Sequence, residues 1–477
     1  VLGAIPGLTA TMGVALLVPV TFFLEPIQAI AAIVTLAAVA IFAGDIPGAL
    51  LRIPGTPASA AYVDDAYRLT QKGQGERALG LSLGAAVLGG LLGSVVLVIA
   101  APALAEVALR FSSAEYFWLA CLGLSCAALV SPGNPLKGTA SLLLGLFIAT
   151  IGFDVIAGHP RFTFGEIELM GGVNFIPAMI GMFALSEVLR KVTAPQVQRP
   201  QDPGGGGLSQ VVPLLWRYRL NALRGGGIGT LVGALPGAGA DIAAWIAYAV
   251  GKRQSRTPEA FGRGHPEGLV DAGAANNGGL SGAWVPALVF GIPGDAITAI
   301  VIGVLFLKGL QPGPTIFVDQ ADLLYAIFIS FFVANLLLLP LGLLAIKTSR
   351  HLLAIPQGVL LPVVLLFCIV GAYAINNSTF DVGIMLVMGL LGYVMEENDF
   401  PVAPAILGIV LGQLVENHFI TTLIKSQGDF GAFFQRPIAA GLGVVTLLLW
   451  CTPVVLALLA RRRRAAARAK TTPKTTQ

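Results

Sequence analysis

The chain has 477 residues, of which 56% are hydrophobic and only 11% are charged, and its formal net charge is +4. Soluble domains carry roughly 25% charged residues, so this composition excludes a soluble globular protein and indicates one that crosses a membrane many times. The basic residues cluster in loops between apolar blocks, as they do beside anionic lipid headgroups, and they do not require nucleic acid as a partner.

Apolar blocks, taken in chain order, predict the membrane architecture. Each approaches the roughly 20 residues needed to cross a bilayer, and shorter blocks are expected to pair or to re-enter the membrane. The predicted fold class is an all-α polytopic membrane protein with about 10–12 transmembrane helices plus re-entrant or broken helices. The blocks lie near residues 8–23, 27–44, 79–104, 114–131, 136–153, 173–189, 226–250, 268–290, 296–310, 322–346, 357–375, 381–395, 401–415 and 437–460.

Two of these segments are interrupted by the same tripeptide, Ile-Pro-Gly, at residues 53–55 and 292–294. In hydrocarbon an unpaired backbone group is costly, so such a break persists only against protein or a water-filled cavity. A second matched pair, Gly-Ala-Ile-Pro-Gly at 3–7 and Gly-Ala-Leu-Pro-Gly at 233–237, occurs in the same order. The two offsets, 239 and 230 residues, are nearly equal, which indicates an internal duplication.

The duplication and the composition divide the chain into four parts. These are a first membrane repeat at 1–193, a cytoplasmic Pro/Gly-rich linker at 194–225, a second membrane repeat at 226–460 and a basic cytoplasmic tail at 461–477. Equivalent loops of the two repeats differ in charge, which predicts inverted-topology repeats, with parallel repeats as the alternative. Because the chain begins inside a Gly/Pro motif, a preceding segment is expected to be missing.

The broken helices predict a site for a carboxylate and a cation. A half-helix that starts after Pro-Gly presents free N–H groups and the positive end of its dipole, which suits a carboxylate, while exposed carbonyls suit Na⁺. The substrate-binding candidates are Arg52, Pro54, Gly55, Thr56, Ser59, Asn276, Asn277, Pro293, Gly294, Asp295 and Thr298. The Na⁺ candidates are Gly7, Thr9, Gly237, Asp241 and Asn276, with a proton carrier or a helix cap as the alternatives for Asp241.

Arg52 is an ionisable residue in an apolar segment, which marks a functional site by default. Its guanidinium suits bidentate binding of a carboxylate. Asp45 lies seven residues earlier on the same helical face, so an Asp45–Arg52 ion pair, or an Arg52 that reaches the membrane interface, is the alternative. Because both charges lie beside the first break, the two breaks are expected to play unequal parts in holding anion and cation.

Signals for an enzyme are weak. His159, His265, His351 and His418 lack metal-ligand spacing, and no nucleophile motif stands beside a base. The sequence therefore predicts a transporter without a covalent cofactor. A gated organic-anion channel and an intramembrane enzyme are the alternatives.

In their order along the chain, the motifs resemble the large membrane subunit of the tripartite tricarboxylate transporters. The resemblance covers nearly the whole chain, and it implies a multi-pass subunit of the bacterial inner membrane that takes up a small di- or tricarboxylate coupled to Na⁺ or H⁺. It also implies two protein partners, a small membrane subunit and a periplasmic binding protein that delivers the carboxylate. The matching stretches are Gly3-Ala-Ile-Pro-Gly-Leu-Thr-Ala-Thr-Met-Gly13, Ile53-Pro-Gly-Thr-Pro57, Asp65, Lys72-Gly73, Ile151-Gly-Phe-Asp154, Arg161-Phe-Thr-Phe-Gly165, 233–239, Glu267-Gly268, Ala274-Ala-Asn-Asn277, Gly291-Ile-Pro-Gly294, Gly309-Leu-Gln-Pro-Gly-Pro314, Ala403-Pro404, Leu407-Gly408 and Arg436-Pro-Ile438.

The sequence departs from the family pattern beside both breaks. Asp45 and Arg52 stand where the family usually has Ser and Asn, and Gly273 stands where an acidic residue usually precedes Ala-Ala-Asn-Asn. The resemblance therefore leaves the carboxylate and the coupling ion open.

Overall fold

The computed structural model describes residues 2–4, 9–130, 134–154, 158–193, 208–236, 239–353 and 357–450. Within these ranges the protein is helical apart from one antiparallel pair of two-residue strands, β1 (Gly152–Phe153) and β2 (Pro160–Arg161). The helices are α1 (Ala10–Thr21), α2 (Pro26–Ala43), α3 (Asp45–Leu51), α4 (Val63–Gln71), α5 (Gly75–Ala108), α6 (Ser113–Val130), α7 (Pro135–Ala149), α8 (Phe175–Met179), α9 (Ser186–Thr193), α10 (Val211–Arg217), α11 (Arg219–Gly233), α12 (Gly239–Gln254), α13 (Pro266–Phe290), α14 (Ala296–Leu307), α15 (Ile316–Asp319), α16 (Ala321–Leu353), α17 (Gln357–Asn376), α18 (Thr379–Glu397), α19 (Val402–Lys425), α20 (Ala432–Gln435) and α21 (Pro437–Trp450). A π-helix (Ile180–Leu185) joins α8 to α9.

Six helical segments are long and apolar enough to cross a bilayer, and five shorter apolar helices accompany them in the described ranges. The longest, α5, has 34 residues and so extends about 50 Å. The predicted fold class, an all-α polytopic membrane protein, is confirmed. The six segments are Pro26–Leu51, Gly75–Ala108, Ala321–Ser349, Gly358–Asn376, Thr379–Glu397 and Val402–Lys425.

Helix α13 lies at the centre of the protein, because every residue from Gly268 to Phe290 is buried. Glycines on the surrounding helices allow their backbones to touch it. A Cβ on Gly89 of α5 would lie 2.0 Å from the carbonyl oxygen of Ala274, and a Cβ on Gly229 of α11 would lie 2.4 Å from that of Ala275. Small residues let membrane helices pack at this distance, so the many glycines of the sequence serve close packing around α13.

Two loops define one face of the protein, which we call the basic face. The loop between α4 and α5 contacts the loop between α12 and α13, where the Lys72 ammonium donates a hydrogen bond to the carbonyl of Arg263 at 3.2 Å. Arg68 near the end of α4, Arg253 near the end of α12 and Arg256 in the loop after α12 add further positive charge here. Taken as four crossings, α5, α6, α7 and the α8–α9 segment place the C-terminal end of α9, with Arg190 and Lys191, on the same face.

The other face, which we call the opposite face, carries the loops after α1 and after α14. The Lys308 ammonium donates hydrogen bonds to the carbonyls of Phe22 and Leu24 at 2.9 and 2.6 Å. The β1–β2 hairpin lies towards this face as well, because Arg161 of β2 bonds to Glu416 of α19, and Gln413 of the same helix lines a cavity together with Gln311, three residues after Lys308. Each face therefore brings together a loop from the first half of the chain and a non-equivalent loop from the second.

The predicted linker at 194–225 is shorter than the sequence suggested. Helix α10 and the first part of α11 occupy residues 211–225, and a Cβ on Gly225 would lie 2.2 Å from the carbonyl oxygen of Asp271. This part belongs to the packed protein, because α11 needs these glycines to approach α13. Residues 194–207 and the basic tail at 461–477 lie outside the described residues.

Asp65 joins the two halves on the basic face. Its carboxylate is fully buried and accepts hydrogen bonds from the backbone N–H groups of Gly262, Gly264 and His265 at 3.0, 2.7 and 2.8 Å. The Tyr248 hydroxyl donates a fourth hydrogen bond at 2.7 Å. A buried carboxylate with four donors replaces much of its lost hydration, so α4 and the loop after α12 are firmly connected.

We expect Asp65→Ala to destabilise the protein by about 3 kcal/mol, because it leaves three backbone N–H groups without their acceptor. Thermal unfolding of the purified protein measures this loss. Asp64→Ala is the matched control, since the half-exposed Asp64 pairs only with exposed Arg52 and such a pair contributes about 0–1 kcal/mol. Equal losses in the two variants would contradict a connecting role for Asp65.

Candidate functional site

The helices before the two Ile-Pro-Gly breaks end in the same way. Helix α3 ends at Arg52 (φ 60°, ψ 27°) and α13 ends at Gly291 (φ 67°, ψ 21°), both in the left-handed region. Each of these residues donates its N–H to the carbonyl four residues earlier, and Ile53 and Ile292 donate to the carbonyl six residues earlier, both at 3.3 Å. The bond from the left-handed residue to the carbonyl four residues earlier is that of the αL type of helix end, and it occurs at positions separated by the 239-residue offset.

After each break the chain doubles back onto its own helix. A Cβ on Gly55 would lie 2.5 Å from the Cα of Gly44, and a Cβ on Gly294 would lie 2.7 Å from the Cα of Ala283. The backbones can approach this closely only because these positions lack a side chain. The glycine of each Ile-Pro-Gly is therefore required for this close packing, and substrate contact by Gly55 and Gly294 stays a prediction.

Equivalent polar pairs follow the two glycines. The N–H of Thr56 donates to Ser59 Oγ and the N–H of Ser59 donates to Thr56 Oγ1, both at 3.1 Å. The N–H of Asp295 donates to Thr298 Oγ1 at 2.9 Å, and the N–H of Thr298 donates to Asp295 Oδ1 at 2.8 Å. Both are reciprocal caps of the capping-box type, so Ser59 and Thr298 position the first residue of each pair.

These turns meet at a cavity of about 50 Å³, which we call the inner cavity. Three helices start at its wall, namely α1 after Thr9, α12 at Gly239, and α14 after Asp295. Each helix N-terminus favours an anion by about 0.3–2 kcal/mol, and the volume holds a small ion with a few waters. The lining residues are Thr9, Ala10, Thr11, Ile41, Thr56, Pro57, Ala240, Asp241, Asn276, Asp295, Ala296 and Ile297.

The inner cavity is chemically asymmetric. The 230-residue offset pairs Thr11 with Asp241, and the 239-residue offset pairs Thr56 with Asp295, so both carboxylates come from the second half. The backbone N–H of Ala58 donates to Asp241 Oδ1 at 3.2 Å across the halves. Two carboxylates in one buried cavity repel each other unless a cation or a proton lies between them.

A larger cavity of about 750 Å³, the vestibule, opens on the basic face. It shares Thr9, Thr11, Pro57, Asp241 and Ala296 with the inner cavity, so the two are continuous. This volume lies within the range of small-molecule sites. The vestibule therefore provides room for an organic acid directly outside the pair of aspartates.

Charged side chains of both signs form the outer wall of the vestibule. Arg190 lies between Glu187 and Glu396, with N–O distances of 3.3 and 3.0 Å. The Lys137 ammonium lies 3.6 Å from a carboxylate oxygen of Asp399. The cations that face the vestibule are thus already paired with carboxylates.

A separate cavity of about 490 Å³, which we call the outer cavity, lies near the opposite face. Its polar lining consists of Gln311, Gln413, Asn417 and His418, and Gly291 at the end of α13 also contributes. Among the described residues it shares no lining residue with the inner cavity. The inner cavity is therefore connected to the basic face through the vestibule and separated from the outer cavity.

Arg52 does not reach any of these cavities. Its side chain is 58% exposed and pairs with Asp64 at 2.7 Å, because the left-handed end of α3 turns it away from the protein interior. The alternative Asp45–Arg52 ion pair is wrong, since the helix stops before the two turns that would align the residues. The positive charge of Arg52, which was expected to contact the substrate at the first break, therefore does not lie at the inner cavity.

Asp45 lies instead in a buried hydrogen-bonded chain. The Tyr62 hydroxyl donates to Asp45 Oδ1 at 2.6 Å, and Ser82 Oγ donates to Asp45 Oδ2. The amide of Asn276 donates to the Tyr62 hydroxyl at 3.3 Å. Asp45 is thus connected through Tyr62 to Asn276 at the wall of the inner cavity, without lining that cavity itself.

The remaining candidates divide into those at the inner cavity and those beside it. Thr9, Thr56, Asp241, Asn276 and Asp295 line it. Asn277 lies beside it, and its amide donates to the carbonyl of Ala38 of α2 at 3.4 Å. Pro54 and Pro293 belong to the turns, and Gly7 and Gly237 lie outside the described residues.

Sequence reasoning missed several residues at these cavities. Thr11 was detectable, because the 230-residue offset pairs it with Asp241. Glu187 and Arg190 have the three-residue spacing of an ion pair on one helix face, but nothing in the sequence connects them to Glu396 or Lys137. Tyr62 carried no signal, since a single tyrosine near a break is compatible with ordinary packing.

Sequence comparisons match the chain to one family model and to two relatives from one organism. The model of the tripartite tricarboxylate transporter TctA family matches residues 1–407. An uncharacterised 52.8 kDa protein from the TAR-I ttuC′ 3′ region of Agrobacterium vitis is 34% identical over 464 residues, which cover 96% of this chain and 90% of that protein. A protein from the TAR-II ttuC′ 3′ region of the same organism is 39% identical over 230 residues, covering 48% of this chain and 95% of the relative. No solved structure matches the chain significantly.

We expect Arg52→Gly to be more stable than Arg52→Ala by about 1 kcal/mol, because glycine adopts the left-handed conformation without a penalty and alanine does not. Both variants lose the ion pair with Asp64, so the difference between their stabilities reports only the cost of the left-handed backbone conformation. Thermal unfolding of the two purified variants measures it. A more stable alanine variant would show that the end of α3 is not left-handed.

Proposed function

The chain belongs to the tripartite tricarboxylate transporter TctA family, and from that premise we propose that it carries a small di- or tricarboxylate across the bacterial inner membrane together with Na⁺ or H⁺. The family is one of transporters, and the chain is accordingly a permease rather than an enzyme. The observation that carries the proposal is the inner cavity, where three helix N-termini and two aspartates meet beside a vestibule large enough for an organic acid.

Coupling follows from the opposing charges of this cavity. Helix N-termini attract the carboxylates of the substrate, whereas Asp241 and Asp295 repel them. A Na⁺ ion or proton bound at the aspartates removes the repulsion and so raises the affinity for the anion. By linkage the anion raises the affinity for the cation to the same extent, which is the requirement for cotransport.

Alternating access follows from the separation of the cavities. The vestibule opens on the basic face, which the positive-inside rule assigns to the cytoplasm, so the conformation described is inward-facing. The halves would form inverted repeats, because each face joins a loop of one half to a non-equivalent loop of the other. Movement of one part of each repeat against the rest would close the vestibule and connect the inner cavity with the outer cavity.

The word tripartite in the family name supports two further partners. We propose that a small membrane subunit accompanies the permease and that a periplasmic binding protein delivers the carboxylate on the opposite face. This direction of delivery agrees with an outer cavity lined by neutral polar side chains.

We expect Asp241→Asn to abolish the dependence of uptake on the cation gradient and to lower gradient-driven uptake at least about tenfold, since a loss of about 1.4 kcal/mol in coupling corresponds to that factor. Uptake of labelled di- and tricarboxylates into proteoliposomes, with partner subunits present and an imposed Na⁺ or proton gradient, measures this. Asp381→Asn is the matched control, because Asp381 is a buried aspartate of α18 that lines neither the vestibule nor the inner cavity.

Three outcomes would contradict the proposal. Flux in the wild type that ignores the imposed gradient indicates a channel, and chemical conversion of the solute indicates an enzyme. Unchanged coupling in Asp241→Asn removes the inner cavity from the mechanism.

We expect Asn276→Ala to raise the KM for the carboxylate about fivefold to tenfold while leaving the amount of folded protein unchanged, because one hydrogen-bonding group contributes about 1 kcal/mol. Asn277→Ala is the control on the adjacent residue, whose amide bonds to α2 and not to the cavity. The same uptake assay, run over a range of carboxylate concentrations, compares the two. A larger change of KM in Asn277→Ala would place the site elsewhere.

A further inference from the structure

Residues 162–167, on the opposite face, expose apolar side chains on a strained backbone. Phe164 is 86% exposed and Ile167 is 76% exposed. Phe162 and Phe164 both have φ of 51°, in the left-handed region that side-chain-bearing residues rarely adopt. Phe162 packs on Phe147 of α7, with ring centroids 5.4 Å apart, whereas Phe164 is held outward, and strain at such a position is typical of function.

The base of this segment is well anchored. Arg161 donates two hydrogen bonds to the Glu416 carboxylate of α19, at 2.6 and 3.0 Å, and these bonds raise the pKa of the guanidinium. β1 and β2 pair just before the segment, and the side chain of Thr163 is turned inward. The exposure of Phe164 and Ile167 is therefore fixed by these contacts at the base of the segment.

The segment stands at the rim of the outer cavity. Gln413, which lines that cavity, is three residues before Glu416 on α19. A Cβ on Gly172, at the end of the same excursion, would lie 4.0 Å from the Gln413 side-chain nitrogen. A molecule bound to residues 162–167 is thus positioned to release a solute into the outer cavity.

We propose that residues 162–167 are a docking surface for a soluble protein that presents an apolar pocket bordered by basic side chains and releases an organic acid into the outer cavity. The inference rests on the proposed function and specifies the surface that receives the substrate carrier. Exposed aromatic residues are frequent energetic centres of interfaces. Glu166 and Glu168 are exposed beside them, which matches a basic border on the partner and opposes insertion among anionic lipid headgroups.

Binding of the purified periplasmic binding protein of the same transporter system to the full-length permease in lipid nanodiscs tests this. We expect Phe164→Gly to raise the Kd at least about tenfold while the melting temperature stays the same or rises, because glycine relieves the left-handed strain. A structural role for Phe164 would lower the melting temperature instead. Ile167→Ser should also raise the Kd.

Phe23→Ser is the matched control, because Phe23 is 78% exposed in another loop of the same face. An unchanged Kd in Phe164→Gly and Ile167→Ser, or an equal loss in Phe23→Ser, would overturn the docking surface. Quenching of the tryptophan fluorescence of a Phe164→Trp variant by brominated lipid would also overturn the docking surface, because it would show that residue 164 contacts lipid. Wild-type proteoliposomes that take up no carboxylate would refute the proposed function, whereas normal uptake with unchanged binding in the variants would refute only the docking surface.

Discussion

A left-handed helix end followed by a glycine that touches the preceding helix is the constraint on which the centre of the structure depends. It occurs twice, at Arg52 with Gly55 and at Gly291 with Gly294. Each turn sends the chain back into the protein, so that polar caps and helix starts lie at membrane depth instead of at the surface. Thr56 and Asp295, which directly follow the two breaks, line a cavity, and irregular backbone is tolerated in a membrane where it lines a cavity.

The fold class and the position of the breaks were predictable from the sequence, because apolar block length and repeated Pro-Gly motifs report directly on bilayer crossing and helix interruption. The side of the helix on which Arg52 lies was not predictable in the same way. Helical periodicity aligns it with Asp45, but periodicity ends where the helix ends, and one left-handed residue turns Arg52 to solvent while Asp45 stays buried beside Tyr62. An exposed Arg52 agrees with the alternative in which its side chain reaches the membrane interface, and a helix end that is uncertain by about one or two residues does not decide between the alternatives.

The unequal roles expected of the two breaks have a different origin from the one the sequence suggested. Asp45 and Arg52 of the first half lie outside the inner cavity, and Asp241 and Asp295 of the second half provide its carboxylates. The two helix ends and the two caps that follow them have the same backbone geometry, whereas the side chains that reach the inner cavity are hydroxyls in the first half and carboxylates in the second. Aligning the repeats residue by residue reveals this division, because it pairs Thr11 with Asp241 and Thr56 with Asp295.

The hydrogen bonds of Asp65 have a mechanical consequence. They connect α4 of the first half to the loop that joins α12 and α13 of the second, so these elements form a stiff body that does not divide at the boundary between the repeats. The alternating access proposed above would therefore need a hinge outside these elements. The α9–α18 contact is suited to sliding, because Arg190 there has carboxylates from both helices within reach and can exchange one for another without losing its charge partner.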